Sequence, residues 1–242
     1  MEYDHAMKKS IALEKRIIFA LDVASVDEAK HLVERLEDHI KFYKVGLQLF
    51  LAGWFPMVDW LVKRHLEVML DLKFFDVPQT VASAVKQLKD RGISFATVHG
   101  NDAILEAAVQ ADSGVNILAV TVLTSLDAGD LRDLGFQCSV EELVVSRARR
   151  AVRAGCAGVV CSGLEVPRLR AELGDRFFVV VPGVRPVENR PVDDQKRTVD
   201  VRGAFLNGAD HVVIGRPIRN AANPETLVRD LRHHIAAALQ ER

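Results

Sequence analysis

Residues 69–80 read Met69-Leu70-Asp71-Leu72-Lys73-Phe74-Phe75-Asp76-Val77-Pro78-Gln79-Thr80, an apolar strand that runs into charge and then into a helix. The short apolar run, closed by a turn signal, predicts a strand over 66–72. Side chains two apart on a strand share a face, so Asp71 and Lys73 are expected to point the same way. Val77-Pro78 ends the extended run, and Thr80 stands where it can cap a helix over 81–88. An acid and an amine at the exit of a buried strand are costly unless they are paired or used. Two readings fit: a structural ion pair between neighbouring strands, or a working pair in a pocket.

Outward from this block, the same strand-then-helix unit recurs. Strand patterns fall at 17–23, 42–47, 66–72, 95–99, 116–123, 158–161, 177–181 and 211–214. Helical patterns fall at 26–38, 51–65, 80–90, 102–111, 140–154, 167–173 and 224–239, with a short piece near Leu131. Ser25 with Glu28 has the form of a capping box for the first helix, and Arg91-Gly92 reads as a helix stop. Continuous apolar strands alternating with helices imply a parallel sheet, and eight such units imply closure. The expected class is α/β, a (β/α)8 TIM barrel, as a single domain over 17–242 behind a mobile lead-in, 1–16. An open doubly wound sheet is the alternative. Its dinucleotide form carries Gly-x-Gly-x-x-Gly after the first strand, where this chain has Asp22-Val23-Ala24-Ser25. The stretch 182–200 is polar, rich in Pro and Arg, and long for a connection. It reads either as a candidate active-site lid or as an ordinary surface loop.

Composition narrows the function classes. In 242 residues, 32 Lys and Arg face 33 Asp and Glu for a net charge of −1, which argues against a nucleic-acid or membrane-surface binder. No apolar run reaches the ~20 residues that span a bilayer. Residues 1–15 mix charges of both signs without an apolar core, unlike a secretory signal. Cys138, Cys156 and Cys161 have no Cys-x-x-Cys spacing, so neither a disulfide framework nor a structural zinc site is expected, and a reducing cytoplasm is the natural location.

A barrel enzyme builds its site at the C-terminal ends of the strands. There the pattern places Asp22, Lys44, the Asp71–Lys73–Asp76 group, Thr124 and Ser125, then Pro182-Gly183-Val184-Arg185 and Gly215-Arg216-Pro217. The last two suggest a phosphate site, with backbone N–H groups bared at Gly183 and Gly215 and a forked cation at Arg216. Arg185 and Gln195, in or beside the presumed lid, could report phosphate occupancy. His99 ends the fourth strand and reads as a hydrogen-bonded wall residue. No Walker-type or Gly-x-Ser-x-Gly motif occurs.

Asp-x-Lys-x-x-Asp followed by Pro-x-Thr resembles the signature of the orotidine 5′-monophosphate decarboxylases. Asp22, Lys44, Leu123-Thr124-Ser125, Pro182-Gly183-Val184-Arg185, Gln195 and Gly215-Arg216 stand in the order that family shows, over about 17–217. Phe75, Val77 and Gln79 stand where members often have His, Ile and Asn. The resemblance implies decarboxylation of orotidine 5′-monophosphate to uridine 5′-monophosphate, the last step of de novo pyrimidine synthesis, without metal or organic cofactor. It implies a homodimer in which Asp76 and Thr80 reach the partner's substrate. Lys73 would stabilise and protonate a C6 carbanion within a Lys44–Asp71–Lys73–Asp76 array. Asp22 and Lys44 would hold the ribose. Ser125 and the backbone around Pro182 would read the pyrimidine, Thr124 would also bind the substrate, and Arg185, Gln195, Gly215 and Arg216 would take the phosphate.

Two rivals remain at this stage. One is a Mg²⁺-dependent sugar-phosphate decarboxylase or aldolase on a similar scaffold, which carries an acid where this chain has Lys44; an ammonium there would repel the ion. The other is a non-catalytic nucleotide-phosphate binder, which has no need of both lysines and both aspartates.

Overall fold

A computed structural model describes residues 10–184 and 199–242. Its elements run β1 (Ile17–Ala20), α1 (Val26–Leu36), β2 (Phe42–Gly46), α2 (Leu47–Lys63), β3 (Glu67–Phe74), α3 (Pro78–Lys86), β4 (Phe95–Val98), α4 (Asp102–Gln110) and β5 (Asn116–Val120). They continue through α5 (Ala128–Asp133), α6 (Val140–Arg153), β6 (Gly158–Val160), α7 (Val166–Leu173), β7 (Phe178–Pro182), α8 (Val201–Leu206), β8 (His211–Ile214), α9 (Arg216–Arg219) and α10 (Pro224–Glu241). The strands pair in parallel in sequence order and β8 closes on β1, a closed eight-stranded barrel. The open-sheet alternative is excluded by that closure.

Two cores hold it. The larger lies between sheet and helices; Val33 and Leu36 of α1 pack there with Val45 of β2 and Leu61 of α2. The smaller fills the barrel, with Ile18, Phe42, Met69, Phe95, Leu118, Val180 and Val213. The period of two along each strand then decides what stands above this plug. On β2, β3 and β4 the next inward positions after Phe42, Met69 and Phe95 are Lys44, Asp71 and Thr97. Residues 10–16 of the expected lead-in include a 3-10 turn at Leu13–Lys15 and are tied down at the barrel floor, where Arg16 donates to the Asp210 carbonyl at 3.1 Å.

Several local expectations need correction. Helix α3 starts at Pro78, with Val77 as its N-cap and no side-chain cap. Thr80 therefore lies in the first turn rather than capping it, because proline preset at the first helical position begins the helix earlier. Helix α2 starts at Leu47, and Trp54 (φ 47°, ψ −152°) divides it into two pieces ahead of Pro56. Ser25 accepts from the Glu28 N–H at 3.1 Å, one half of the expected capping box. Helices α8 and α9 are too short to leave a periodic signal. Among the described residues no helix is long and apolar enough to cross a membrane.

Candidate active site

The C-terminal mouth of the barrel opens into a cavity of about 600 Å³, within the size range of small-molecule sites. Asp22, Lys44, Asp71, Lys73, Thr124, Ser125, Pro182, Gly183, Gly215 and Arg216 all line it. Its apolar floor includes Met69, Val120, Val160 and Val213.

At one side stands a row of alternating charge. Lys44 Nζ lies 2.8 Å from Asp22 Oδ1 and 3.5 Å from Asp71 Oδ2, and Lys73 Nζ donates to Asp71 Oδ1 at 2.9 Å. Lys44 is 8% exposed. The Lys73 side chain, by contrast, keeps 36% of its surface open. Burial alone would raise the Asp71 carboxyl; Lys44, Lys73 and hydrogen bonds from Lys73 and Thr97 overcome that and hold it below the usual carboxylate range. Gly46 follows in the same strand, and a Cβ there would sit 3.0 Å from both Asp22 Oδ1 and Lys44 Nζ. A side chain at that position would split the pair.

The row is made by a break in β3. Leu70 pairs with Ala96 and Phe74 with Val98, so Asp71, Leu72 and Lys73 face Thr97 alone. Lys73 takes φ +49° within this bulge, and bulges of this kind re-aim side chains next to working sites. Strand alternation, the expected reason for Asp71 and Lys73 to share a face, is thus assisted by a local irregularity that the letters do not announce.

Asp76 is placed elsewhere. It is exposed beyond the end of β3, accepts from the Val77 N–H at 2.6 Å, and with Thr80 lies outside the cavity lining. Within one chain the row therefore contains Lys44, Asp71 and Lys73 without Asp76. The reason is the turn at 75–77, which carries the chain outward before Pro78 starts α3. Arg185 and Gln195 lie outside the described residues, as does most of the presumed lid.

Further round the mouth, Gly183 adopts φ +71° directly after β7, a conformation suited to glycine. Gly215 caps α9, and Arg216 is its first residue. A Cβ on Gly215 would stand 3.2 Å from that of Ala20, so glycine lets β8 and β1 close together there. His99 Nδ1 lies 3.0 Å from the Val120 carbonyl, a wall contact; burial lowers the ring's pKa.

The family model described as "Orotidine 5'-phosphate decarboxylase / HUMPS family" matches residues 15–231. The chain belongs to this family. It is 64% identical over 217 residues to the orotidine 5'-phosphate decarboxylase of Methylococcus capsulatus, covering 89% of this chain and 90% of that one. Identity to the enzyme of the same name from Stenotrophomonas maltophilia is 45% over 233 residues, 95% of this chain and 96% of that one. The crystal structure of orotidine 5'-phosphate decarboxylase from Lactobacillus acidophilus superposes with a TM-score of 0.81 at 31% identity, covering 91% of this chain and 99% of that one.

In this member of the orotidine 5'-phosphate decarboxylase / HUMPS family, sequence reasoning passed over Thr97, Arg219 and the crowding at Gly46. Arg219 lines the cavity and its guanidinium donates to the Asp22 carbonyl. Thr97 left a faint signal, a single hydroxyl inside the apolar run Phe95-Ala96-Thr97-Val98.

Proposed function

We propose that this chain decarboxylates orotidine 5′-monophosphate to uridine 5′-monophosphate and CO2, the last step of pyrimidine nucleotide synthesis, in the cytoplasm. Family membership supports the reaction. The observation that carries it is the clamped carboxylate, Asp71 held between two ammonium groups, with one of them, Lys73, open to the cavity.

Loss of CO2 from C6 of the pyrimidine leaves the bonding electron pair on a carbon that the ring cannot readily delocalise. The Lys73 ammonium favours that charge and then donates its proton to C6; the amine left behind regains a proton from solvent. Asp71 crowds the departing carboxylate and disfavours the bound substrate relative to the transition state. Two unit charges ~4 Å apart interact by ~4 kcal/mol at an effective dielectric of 20, whereas enzymes supply ~8–23 kcal/mol. One charge pair is thus insufficient, and binding energy from the remote phosphate supplies part of the rest. Gly183 and Gly215 N–H groups and Arg216 would hold that phosphate, together with Arg185 and Gln195. Asp22 and Lys44 would hold the ribose hydroxyls, while Thr124, Ser125 and Pro182 meet the base. Every charge the protein brings to this scheme is a side chain, and no cofactor enters it. Lys44 also bears on the magnesium reading, because its ammonium sits between Asp22 and Asp71 where a cation would seek their oxygens.

The proposal includes a homodimer in which Asp76 and Thr80 complete the partner's site. Leu47, Leu51 and Trp54 of α2, and Phe75 and Val77 in the turn beside Asp76, are each more than half exposed. Exposed large apolar side chains gathered on adjacent ring segments suit an interface.

The test is the fall in substrate absorbance on adding purified chain in excess chelator. Turnover is expected. Turnover only with Mg²⁺ on sugar phosphates would install the magnesium reading, and tight product binding without turnover would install the binding-protein reading. For the dimer, the Lys73→Ala and Asp76→Asn proteins, each expected to be inactive, are mixed in equal amounts and allowed to exchange subunits. Random pairing restores about one quarter of wild-type activity if Asp76 acts across the interface, and none if it acts in its own chain.

A further inference from the structure

Behind the acid–amine pair, on β4, stands one fully buried hydroxyl. Thr97 has no exposed surface. Its Oγ1 lies 2.9 Å from Asp71 Oδ1 and 2.9 Å from the backbone nitrogen of Lys73. The directions are settled by chemistry: the N–H can only donate, and an ionised carboxylate can only accept. The hydroxyl therefore accepts from the Lys73 N–H and donates its own hydrogen bond to Asp71. This happens where the β3–β4 ladder is interrupted and three residues of β3 face one of β4. It also happens where Lys73 takes a backbone conformation (φ +49°) that side-chain-bearing residues rarely adopt.

We propose that Thr97 is a positioning residue for the decarboxylation: its hydroxyl pins the bulge from which Lys73 springs and fixes the rotation of the Asp71 carboxylate. Oδ1 is thereby committed to Lys73 and Thr97, and Oδ2 is turned to Lys44. The mechanistic part of this proposal rests on the reaction assigned above. Without the hydroxyl, the carboxylate is free to rotate and the Lys73 N–H loses its acceptor in a buried setting, which shifts the ammonium relative to C6. Misplacement of about 1 Å at a reacting group is enough to cost catalysis heavily.

Among the described residues, the charged and titratable groups facing Asp71 are few. Lys44 comes from β2, with Asp22 beyond it after β1; Lys73 comes from its own strand, and His99 ends the β4 segment close enough to feel Lys73. The Thr97 hydrogen bond is one of the contributions that hold the Asp71 carboxyl low.

The test compares Thr97→Val, which keeps the shape and deletes the hydroxyl, with Thr97→Ser, which keeps the hydroxyl. Valine is expected to lower kcat by about 10–100-fold, the range for a hydrogen bond to a charged group, with product affinity within about threefold of wild type. Serine should stay within about threefold in both. A second readout needs no turnover: the carboxyl carbon resonance of Asp71, titrated in the free enzyme, moves to higher pH in the valine protein and keeps its wild-type midpoint in the serine one. If valine destabilises the fold, Thr97→Ala at lower temperature gives the same comparison, with product binding certifying the fold. Wild-type kcat and titration in both hydroxyl-free variants would overturn the proposal. An equal kcat loss in the serine and valine proteins would overturn it as well, leaving only a strand staple. Failure of the wild-type protein to decarboxylate, with the titration shift still present in the valine protein, would sink the assigned reaction and leave the positioning of Asp71 standing.

Discussion

At the floor of the barrel Asp210 sits among arginines; at the mouth Asp71 sits between two lysines. Arg170 reaches Asp210 Oδ2 at 2.7 Å, the Val179 N–H donates to the same oxygen at 2.9 Å, and Arg16 takes the Asp210 carbonyl. Arg170 also holds the carbonyls of Gly208 at 2.9 Å and Phe177 at 3.0 Å. The floor uses planar forks anchored to backbone, which fix geometry and join β7, β8 and α7. The mouth uses point charges on flexible stems, and one of them faces a cavity. Each end also has a histidine with Nδ1 against a carbonyl, His99 on Val120 and His211 on Lys15. The floor ring is packed among Phe42, Phe95 and Phe178, while the mouth ring is half-buried. The difference separates an ion pair tied to backbone from one that faces a cavity, which burial and acid–base pairing alone do not distinguish.

The sharpest way to break this contrast is Lys73→Ala. Turnover should fall by more than about 10⁵-fold, with product affinity within about tenfold and thermal stability close to wild type, because Asp71 keeps Lys44 and Thr97. Retained turnover would remove Lys73 as proton donor, and a large loss of Tm would make the mouth a structural pair like the floor.

Asp210→Ala is the reciprocal experiment. Removing one partner of a buried pair costs about 3–5 kcal/mol. At about 2–4 °C per kcal/mol for a domain of this size, Tm should drop by roughly 10 °C, with kcat of the folded fraction unchanged. A fall in kcat without a fall in Tm would erase the distinction between the two ends.

The smallest effect is expected at His99. Burial depresses its pKa, so the folded state favours the neutral ring. The unfolded state then binds more protons as pH falls below about 6.5. His99 therefore contributes stability at neutral pH that is lost as pH drops through that value toward the lower folded one. Chemical denaturation of wild type and His99→Gln between pH 7.5 and 5.5 checks it: the wild-type curve should decline more. Parallel curves would mean that the folded ring takes a proton as readily as in the unfolded chain, so that the mouth leaves His99 open to solvent.

The fold was legible because buried parallel strands must be apolar on both faces, and eight such runs separated by helical periods admit closure. Boundaries slipped where a local feature overrode periodicity. Proline at position 78 started α3 two residues ahead of the expected cap, and a single non-helical residue, Trp54, divided α2. At the site, Lys44, Asp71 and Lys73 were readable from their strand positions and do meet. Asp76 was readable as a member of the motif, and the family resemblance already set it apart from its own chain's pocket, whose lining does not include it.

By itself, the order of the residues determined the barrel, its eight units and the set of charges at the strand exits, since these follow from periodicity and from the cost of leaving a charge unpaired in a core. Tertiary structure alone decided how closely those charges approach, the bulge that turns Lys73, and the place of the buried Thr97 hydroxyl behind it. Those depend on the register between β3 and β4, and a register is a relation between strands separated along the chain that neither strand's residues encode alone.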